Sequence, residues 1–254
     1  MKIGIMDLLE SSFIVVAGVF AGFLNVVAGG GSLITLPLLI FLGLPPTIAN
    51  GTNRIAILAQ NSFAIAKFNQ KGISSYPYSI YLGISALIGS TLGAFLVVDI
   101  DENLFKKILS VVMVGVAILI LSNTKAGEVA KGEKMEFKNQ MWGVISFFFI
   151  GIYGGFLHAG IGFIIILALT KLNGFSLVKT NSIKVTVALV YTIAAVGVFI
   201  YKDAINWRYA LILAVGNSFG GYLGSVFSVK RGDKWIKAIL LVTILALAIK
   251  LWFF

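Results

Sequence analysis

The sequence predicts an all-α polytopic membrane protein of two inverted-topology repeats, each with short or re-entrant helices at a glycine-rich break plus three full spans. Three observations predict it. The first is composition: 59% of the 254 residues are hydrophobic, only 12% are charged and 28 are Gly, whereas an ordinary soluble domain carries about 25% charge. The second is where charge is missing. No Asp, Glu, Lys or Arg occurs in residues 11–53, 72–98, 108–124, 139–170 or 209–229, and a hydrocarbon layer is crossed by about 20 residues of helix. The third is self-similarity at an offset of about 131 residues. The run Gly89-Ser-Thr-Leu-Gly93 lands on Gly220-Gly-Tyr-Leu-Gly224, and Lys106, Ile108 and Leu109 land on Lys237, Ile239 and Leu240. Upstream, Gly22-Phe-Leu-Asn25 lies over Gly155-Phe-Leu-His158, and Thr52-Asn53 over Thr180-Asn181. The repeats are residues 1–122 and 141–254, joined by a hydrophilic central loop, 123–140, rich in Lys, Glu and Gly and without apolar period.

Five apolar segments fall in each half. In the first, segment 12–28 runs into the break Asn25-Val-Val-Ala-Gly-Gly-Gly31-Ser32. Segment 32–44 follows, and at 1.5 Å per residue it covers about half the bilayer. Segment 50–68 opens after Pro45-Pro46 with Asn50-Gly-Thr-Asn-Arg54. Segment 76–98 holds Gly89 and Gly93, spaced as a helix-packing pair. Segment 104–121 leads into the central loop. The second half repeats the order as 141–157, 159–172, 178–200, 207–227 and 234–252, with its break at His158-Ala-Gly-Ile-Gly162, Thr180-Asn-Ser182 opening the third segment, and Gly220 and Gly224 in the fourth. Non-helical backbone at membrane depth is tolerated only against protein or a polar cavity, so both breaks mark an interior.

An odd number of segments per half inserts the second copy upside down. Loops near residues 67–75, 122–140, 171–179 and 228–234 share one side and hold eleven Lys or Arg, against six on the other, where acids also gather. The richer side is expected to be cytoplasmic and both termini outside. The net charge of +10 belongs to these loops rather than to one basic stripe interleaved with aromatics, so no nucleic-acid partner is expected. Zero Cys removes disulfides and thiolate metal sites. Neither a Ser/His/Asp set, a metal-ligand cluster nor a P-loop pattern is found, so no catalytic residues, metal or cofactor are expected, and no enzyme.

Chemistry is expected where charge sits inside a segment. All ten acids fall at segment ends or in loops, which leaves nothing for a cation path or carboxylate proton relay. Arg54 and Lys184 lie inside the third segments. An unpaired cation there costs several kcal/mol and so calls for an anionic ligand; snorkelling or pairing with backbone carbonyls is the alternative. The expected substrate-binding set is Asn25, Gly29, Gly30, Gly31, Ser32, Thr52, Asn53 and Arg54 with His158, Gly160, Gly162, Thr180, Asn181 and Lys184. Glycine permits close backbone approach, and the first amides of a following helix have no internal partners and lie at its positive end. Helix capping is the competing use of the Thr and Asn residues. His158, the only histidine, can carry a coupling proton near neutral pH or act as a neutral structural imidazole.

The run Ala21-Gly-Phe, Gly29-Gly-Gly31, Leu36-Pro-Leu-Leu39, Gly43-Leu-Pro-Pro and Ala49-Asn-Gly-Thr-Asn-Arg54 resembles the sulfite exporter TauE/SafE family of bacterial membrane permeases. The resemblance extends over nearly the whole chain. It implies passage of small anions, typically sulfite, sulfonates or related sulfur oxyanions and in some members other organic acids, usually outward. The chain departs from the family pattern twice: Asn53 stands where Ser is commoner, and Gly160-Ile-Gly162 lacks the triplet. The resulting expectation is a secondary carrier in the bacterial inner membrane, working by alternating access around a midplane site. An anion-selective channel and a non-transporting structural membrane protein are the alternatives. Expected partners are a small anionic substrate and membrane lipid, with association as a homodimer left open.

Overall fold

The computed structural model describes residues 5–73, 76–122 and 132–253. Its helices are α1 (Ile5–Val27), α2 (Ser32–Phe41), α3 (Pro46–Gln70), α4 (Tyr78–Val98), α5 (Glu102–Ser122), α6 (Phe137–Phe156), α7 (Ile161–Ala168), α8 (Leu177–Tyr201) and α9 (Trp207–Phe253). No strand occurs among the described residues. A π-helical turn, Leu169–Asn173, continues α7, and Gly232, at φ 70 and ψ −171, divides α9 into two arms. Residues 1–4, 74, 75, 254 and 123–131, of which the last range is the first half of the expected central loop, lie outside the described residues.

The helix ends follow local chemistry. Gly29 (φ 89) ends the turn after α1, and Gly43 (φ 91) the turn after α2, where glycine carries no Cβ penalty. Pro46 occupies the first turn of α3 behind an extended Pro45, the position proline fits best. The second break needs two left-handed residues, His158 (φ 63) and Gly160 (φ 70). At α8, Ser176 Oγ accepts from the Lys179 amide at 3.2 Å, while the Asp233 carboxylate accepts from the amides of Leu177 and Val178, each at 3.0 Å. An acid from the α9 bend thereby satisfies the positive end of α8.

The shortness expected of the first two segments in each half is confined to α2 and α7, which have 10 and 8 residues. Helices α1 and α6 have 23 and 20. Charged and polar residues at their starts, Asp7 and Glu10 in α1 and Lys138 to Gln140 in α6, are compatible with helix and do not break it. The central polar stretch thus gives way to helix at Phe137.

The burial pattern is that of a protein dissolved in lipid. Large apolar side chains stand exposed along α1 (Phe13, Val16, Phe20), α4 (Ile84, Ile88, Leu92, Phe95) and α9 (Leu211, Val215, Phe219), while Asn50, Asn53, Arg54, Gln60, Asn181 and Lys184 are buried. Among the described residues, four helices contain stretches long and apolar enough to cross a membrane: Leu8–Val27, Tyr78–Val98, Leu177–Tyr201 and Trp207–Ile236. Helix α3 is as long as α8, 25 residues each, but its buried face is polar.

Packing runs through glycine. A Cβ on Gly18 or Gly22 would strike Leu213 to Asn217 of α9, and one on Gly216 or Gly220 would strike Val15 or Val19 of α1. Gly89 and Gly93 of α4 abut Phe148 and Ile152 of α6, whose Gly151 and Gly155 abut Ala86 and Ser90. Both seams are small-residue contacts that bring backbones together, the role their spacing suggests. Numbering rises in step along each, so α1 runs parallel to the first arm of α9, and α4 parallel to α6. Helices α3 and α8 cross the centre antiparallel: Gly51 backs onto Phe199 and Ala204, and near the other end Ser182 Oγ donates to Ile73 O at 3.0 Å. Helix α3 packs on α9 and α8 packs on α4. Each half thus seats its broken-helix partner and its polar helix on the fourth helix of the other.

Candidate functional site

The two breaks meet. A Cβ on Gly29 would lie 2.5 Å from Gly162 Cα and 2.8 Å from the Phe163 amide nitrogen, and one on Gly162 would press on the backbone of Gly29. Only two glycines allow this approach, because any side chain would hold the segments apart. Gly30, Gly31, Ser32 and Gly160 are buried around the contact.

Beside it lie the two interior cations, and each reaches across to the other half. Arg54, fully buried on α3, donates through Nη1 to Gly154 O and through Nη2 to Gly155 O at 2.8 Å and to Asn50 Oδ1 at 3.2 Å. Its Nη1 also stands 3.4 Å from His158 Nδ1. Lys184 on α8 donates from Nζ to Val26 O and to Asn181 Oδ1, each at 2.8 Å, and Asn181 Nδ2 donates to Val27 O at 3.1 Å. Arg54 therefore closes the C-terminal end of α6, and Lys184 that of α1. The last carbonyls of a helix have no internal donors and carry partial negative charge, so each break supplies what the opposing cation lacks.

A hollow of about 10 Å³ lies next to the glycine contact, bounded by Asn25, Asn61, His158, Ile161, Gly162, Ile165, Lys184, Val185, Ala188 and Tyr191. A space of that size admits about one water molecule. Lys184 and Tyr191 are seven residues apart on α8 and flank the middle of its 25 residues, so the hollow lies deep in the helix bundle. Four expected residues border it: Asn25, His158, Gly162 and Lys184. Its polar wall is rich in donors. Asn25 Nδ2 donates to Gln60 Oε1 at 3.3 Å and Gln60 Nε2 to Asn61 Oδ1 at 3.3 Å. This chain of amides ends on Asn61 Nδ2, a buried donor with no partner among the described residues. Tyr191 Oη is 3.0 Å from His158 Nδ1, and Tyr153 Oη bonds Ala159 O in the second break. No carboxylate borders the hollow, and among the described residues no group of three or more His, Cys, Asp or Glu stands together.

The other expected residues lie around this hollow without bordering it. Thr52 Oγ1 accepts from the Asn206 amide at 2.9 Å, a structural bond to the α8–α9 turn. Asn53 Oδ1 accepts from Thr35 Oγ1 at 2.8 Å, while Asn53 Nδ2 has no partner. Ser32 Oγ, Thr180 Oγ1 and Arg54 Nε are likewise buried without partners among the described residues. Such groups are rare in folded interiors and cost about 1–3 kcal/mol each. Asn61, Gln60 and Tyr191 are absent from the expected set. Helical spacing carries the signal for Asn61 and Tyr191: Asn50, Arg54 and Asn61 follow i, i+4, i+11 on α3, and Lys184, Ala188 and Tyr191 follow i, i+4, i+7 on α8.

Comparison with known proteins adds a family. The model of a family described as "Sulfite exporter TauE/SafE" matches residues 14–251. A "Probable membrane transporter protein" of Haemophilus influenzae is 30% identical over 242 residues, covering 95% of this chain and 93% of its own. "Probable membrane transporter protein ORF9" of a Sinorhizobium species is 28% identical over 247 residues, covering 94% and 91%. "Probable membrane transporter protein YfcA" of Escherichia coli K12 is 26% identical over 231 residues, covering 91% and 85%. No solved structure matches the chain.

Proposed function

The chain belongs to the sulfite exporter TauE/SafE family of membrane transporters, and from that premise we propose that it is a secondary carrier of small anions, sulfite or an organosulfonate first among them. The observation that carries this reading is the buried hollow at the meeting of the two breaks, where an amine, an imidazole and an unpartnered amide face no carboxylate. A site of donors without an acid favours an anion and repels nothing it needs. Membership in a family of sulfite exporters supports sulfite as cargo and export as direction.

Alternating access supplies the mechanism. The hollow holds about one water and less than any oxyanion of sulfur, so the state described is closed, and the halves part on one side or the other to admit cargo. A hollow too small for its cargo favours a carrier that must rearrange over a continuously open channel. The excess of basic residues in one set of loops supports an inner-membrane orientation with the central loop cytoplasmic and both termini outside.

Counterflow tests the proposal. Purified protein in liposomes preloaded with unlabelled sulfite should take up labelled sulfite faster than empty liposomes, with saturation. A thermal-shift screen against sulfite, sulfate, thiosulfate, sulfoacetate, taurine and simple carboxylates should single out the cargo, because a ligand bound only by the folded state raises its melting temperature. No counterflow and no shift with any of them would refute transport of small anions by this chain.

A further inference from the structure

Although both interior cations are buried, their hydrogen-bonding capacity is used differently. Arg54 has four Nη hydrogens and four acceptors around them: Gly154 O, Gly155 O at 2.8 Å, Asn50 Oδ1 at 3.2 Å and His158 Nδ1 at 3.4 Å. Only Nε is left over, and the guanidinium carbon sits 5.6 Å from the centre of the Phe199 ring. Arg54 does not border the hollow. Lys184 does, and two of its three ammonium hydrogens are engaged, by Val26 O and Asn181 Oδ1.

We propose that Lys184 alone makes the ionic contact with the transported anion, and that Arg54 is a positioning residue that fixes the second break and orients His158. This deepens the carrier reading and rests on it. His158 supplies the link. Its Nδ1 faces the Arg54 Nη1 donor at 3.4 Å and the Tyr191 hydroxyl at 3.0 Å. With Nδ1 as acceptor for both, the ring proton of the neutral imidazole sits on Nε2, which leaves an N–H on a ring that borders the hollow. The anion then meets one full charge from Lys184, with neutral donors from Asn61 and His158. Arg54 acts only through the carbonyls and the imidazole it holds.

The test uses methanesulfonate and its uncharged isostere methanesulfonamide as probes of purified full-length protein, with affinities read by calorimetry. Wild type should prefer the sulfonate by about tenfold or more, the scale of one buried ionic contact. Lys184→Met keeps most of the apolar stem and should bring that ratio to about one. Arg54→Gln should weaken both probes by a similar factor and leave the ratio as in wild type. A merely structural lysine would lower both affinities without changing their ratio. A ratio preserved in Lys184→Met, or abolished in Arg54→Gln, overturns the assignment. Should Lys184→Met not fold, Lys184→Arg decides: it keeps the charge, so the ratio must persist while the sulfonate affinity changes, and an affinity equal to wild type overturns the proposal. If wild type binds the sulfonate no better than the sulfonamide but shows sulfite counterflow, the assignment falls and the carrier reading stands. If counterflow is absent for every anion in the screen, both fall.

Discussion

Replacing Gly162 by Ala adds one methyl group at the contact between the two breaks. The new Cβ would lie 2.7 Å from the carbonyl oxygen of Gly29 and 2.9 Å from its carbonyl carbon, with Gly29 Cα nearer still. Ordinary contact between carbon atoms falls at about 3.5–4.0 Å. All three atoms belong to backbone, so no side chain can rotate away, and the breaks must separate by about 1 Å. Overpacking of this kind costs about 1–3 kcal/mol. The comparison is Gly197→Ala on α8, where a Cβ meets nothing within 4 Å and the change is neutral or gains up to about 1 kcal/mol of helix preference. Gly29 is the poorer choice, because its φ of 89 would mix backbone strain with crowding. Unfolding of both variants in mixed micelles by rising SDS fraction reads the difference directly. Gly162→Ala should unfold earlier than wild type and Gly197→Ala should not. Coincident curves for the two variants would refute the claim that the breaks touch, and with it the location of the site.

Three further outcomes are expected. Arg54→Ala removes the donor for Gly154 O, Gly155 O and Asn50 Oδ1, so the thermal midpoint should fall by the equivalent of about 1–3 kcal/mol, the scale of leaving buried acceptors without a donor. Asp233→Ala frees the amides of Leu177 and Val178 and should cost about 1 kcal/mol, visible as faster hydrogen exchange confined to the first turn of α8. Tyr191→Phe deletes the hydroxyl 3.0 Å from His158 Nδ1; stability should drop by only about 1 kcal/mol, while the initial rate of sulfite counterflow falls severalfold because the imidazole loses its orientation.

What the sequence makes legible is what glycine, proline and charge punctuate. The break at Gly29–Gly31 falls between α1 and α2, the one at His158–Gly162 covers the end of the α6–α7 turn and the start of α7, and Pro45-Pro46 opens α3. The burial of Arg54 and Lys184 is legible from the absence of other charge around them. Their partners are not. Gly154 O, Gly155 O and Val26 O are main-chain atoms, and every residue type carries the same carbonyl, so no letter marks them. Nor do the two cations sit at equivalent places: Arg54 follows Thr52 by two residues, Lys184 follows Thr180 by four. Pairing of each with the other half's helix end follows only from the three-dimensional crossing of α3 and α8. Tyr191 escapes notice for another reason, since an aromatic in an apolar helix reads as core until its hydroxyl is seen beside the histidine.

The exchange of clasps between halves bears on how this chain matures. As residues 1–122 leave the ribosome, Arg54 has no Gly154 or Gly155 to grip and the end of α1 has no ammonium to meet. The leading portion can enter the bilayer but cannot settle, and its final shape waits on translation of α6 through α8. Severing the gene within the central loop should then give two products, each short-lived when made by itself, that rescue one another when made together.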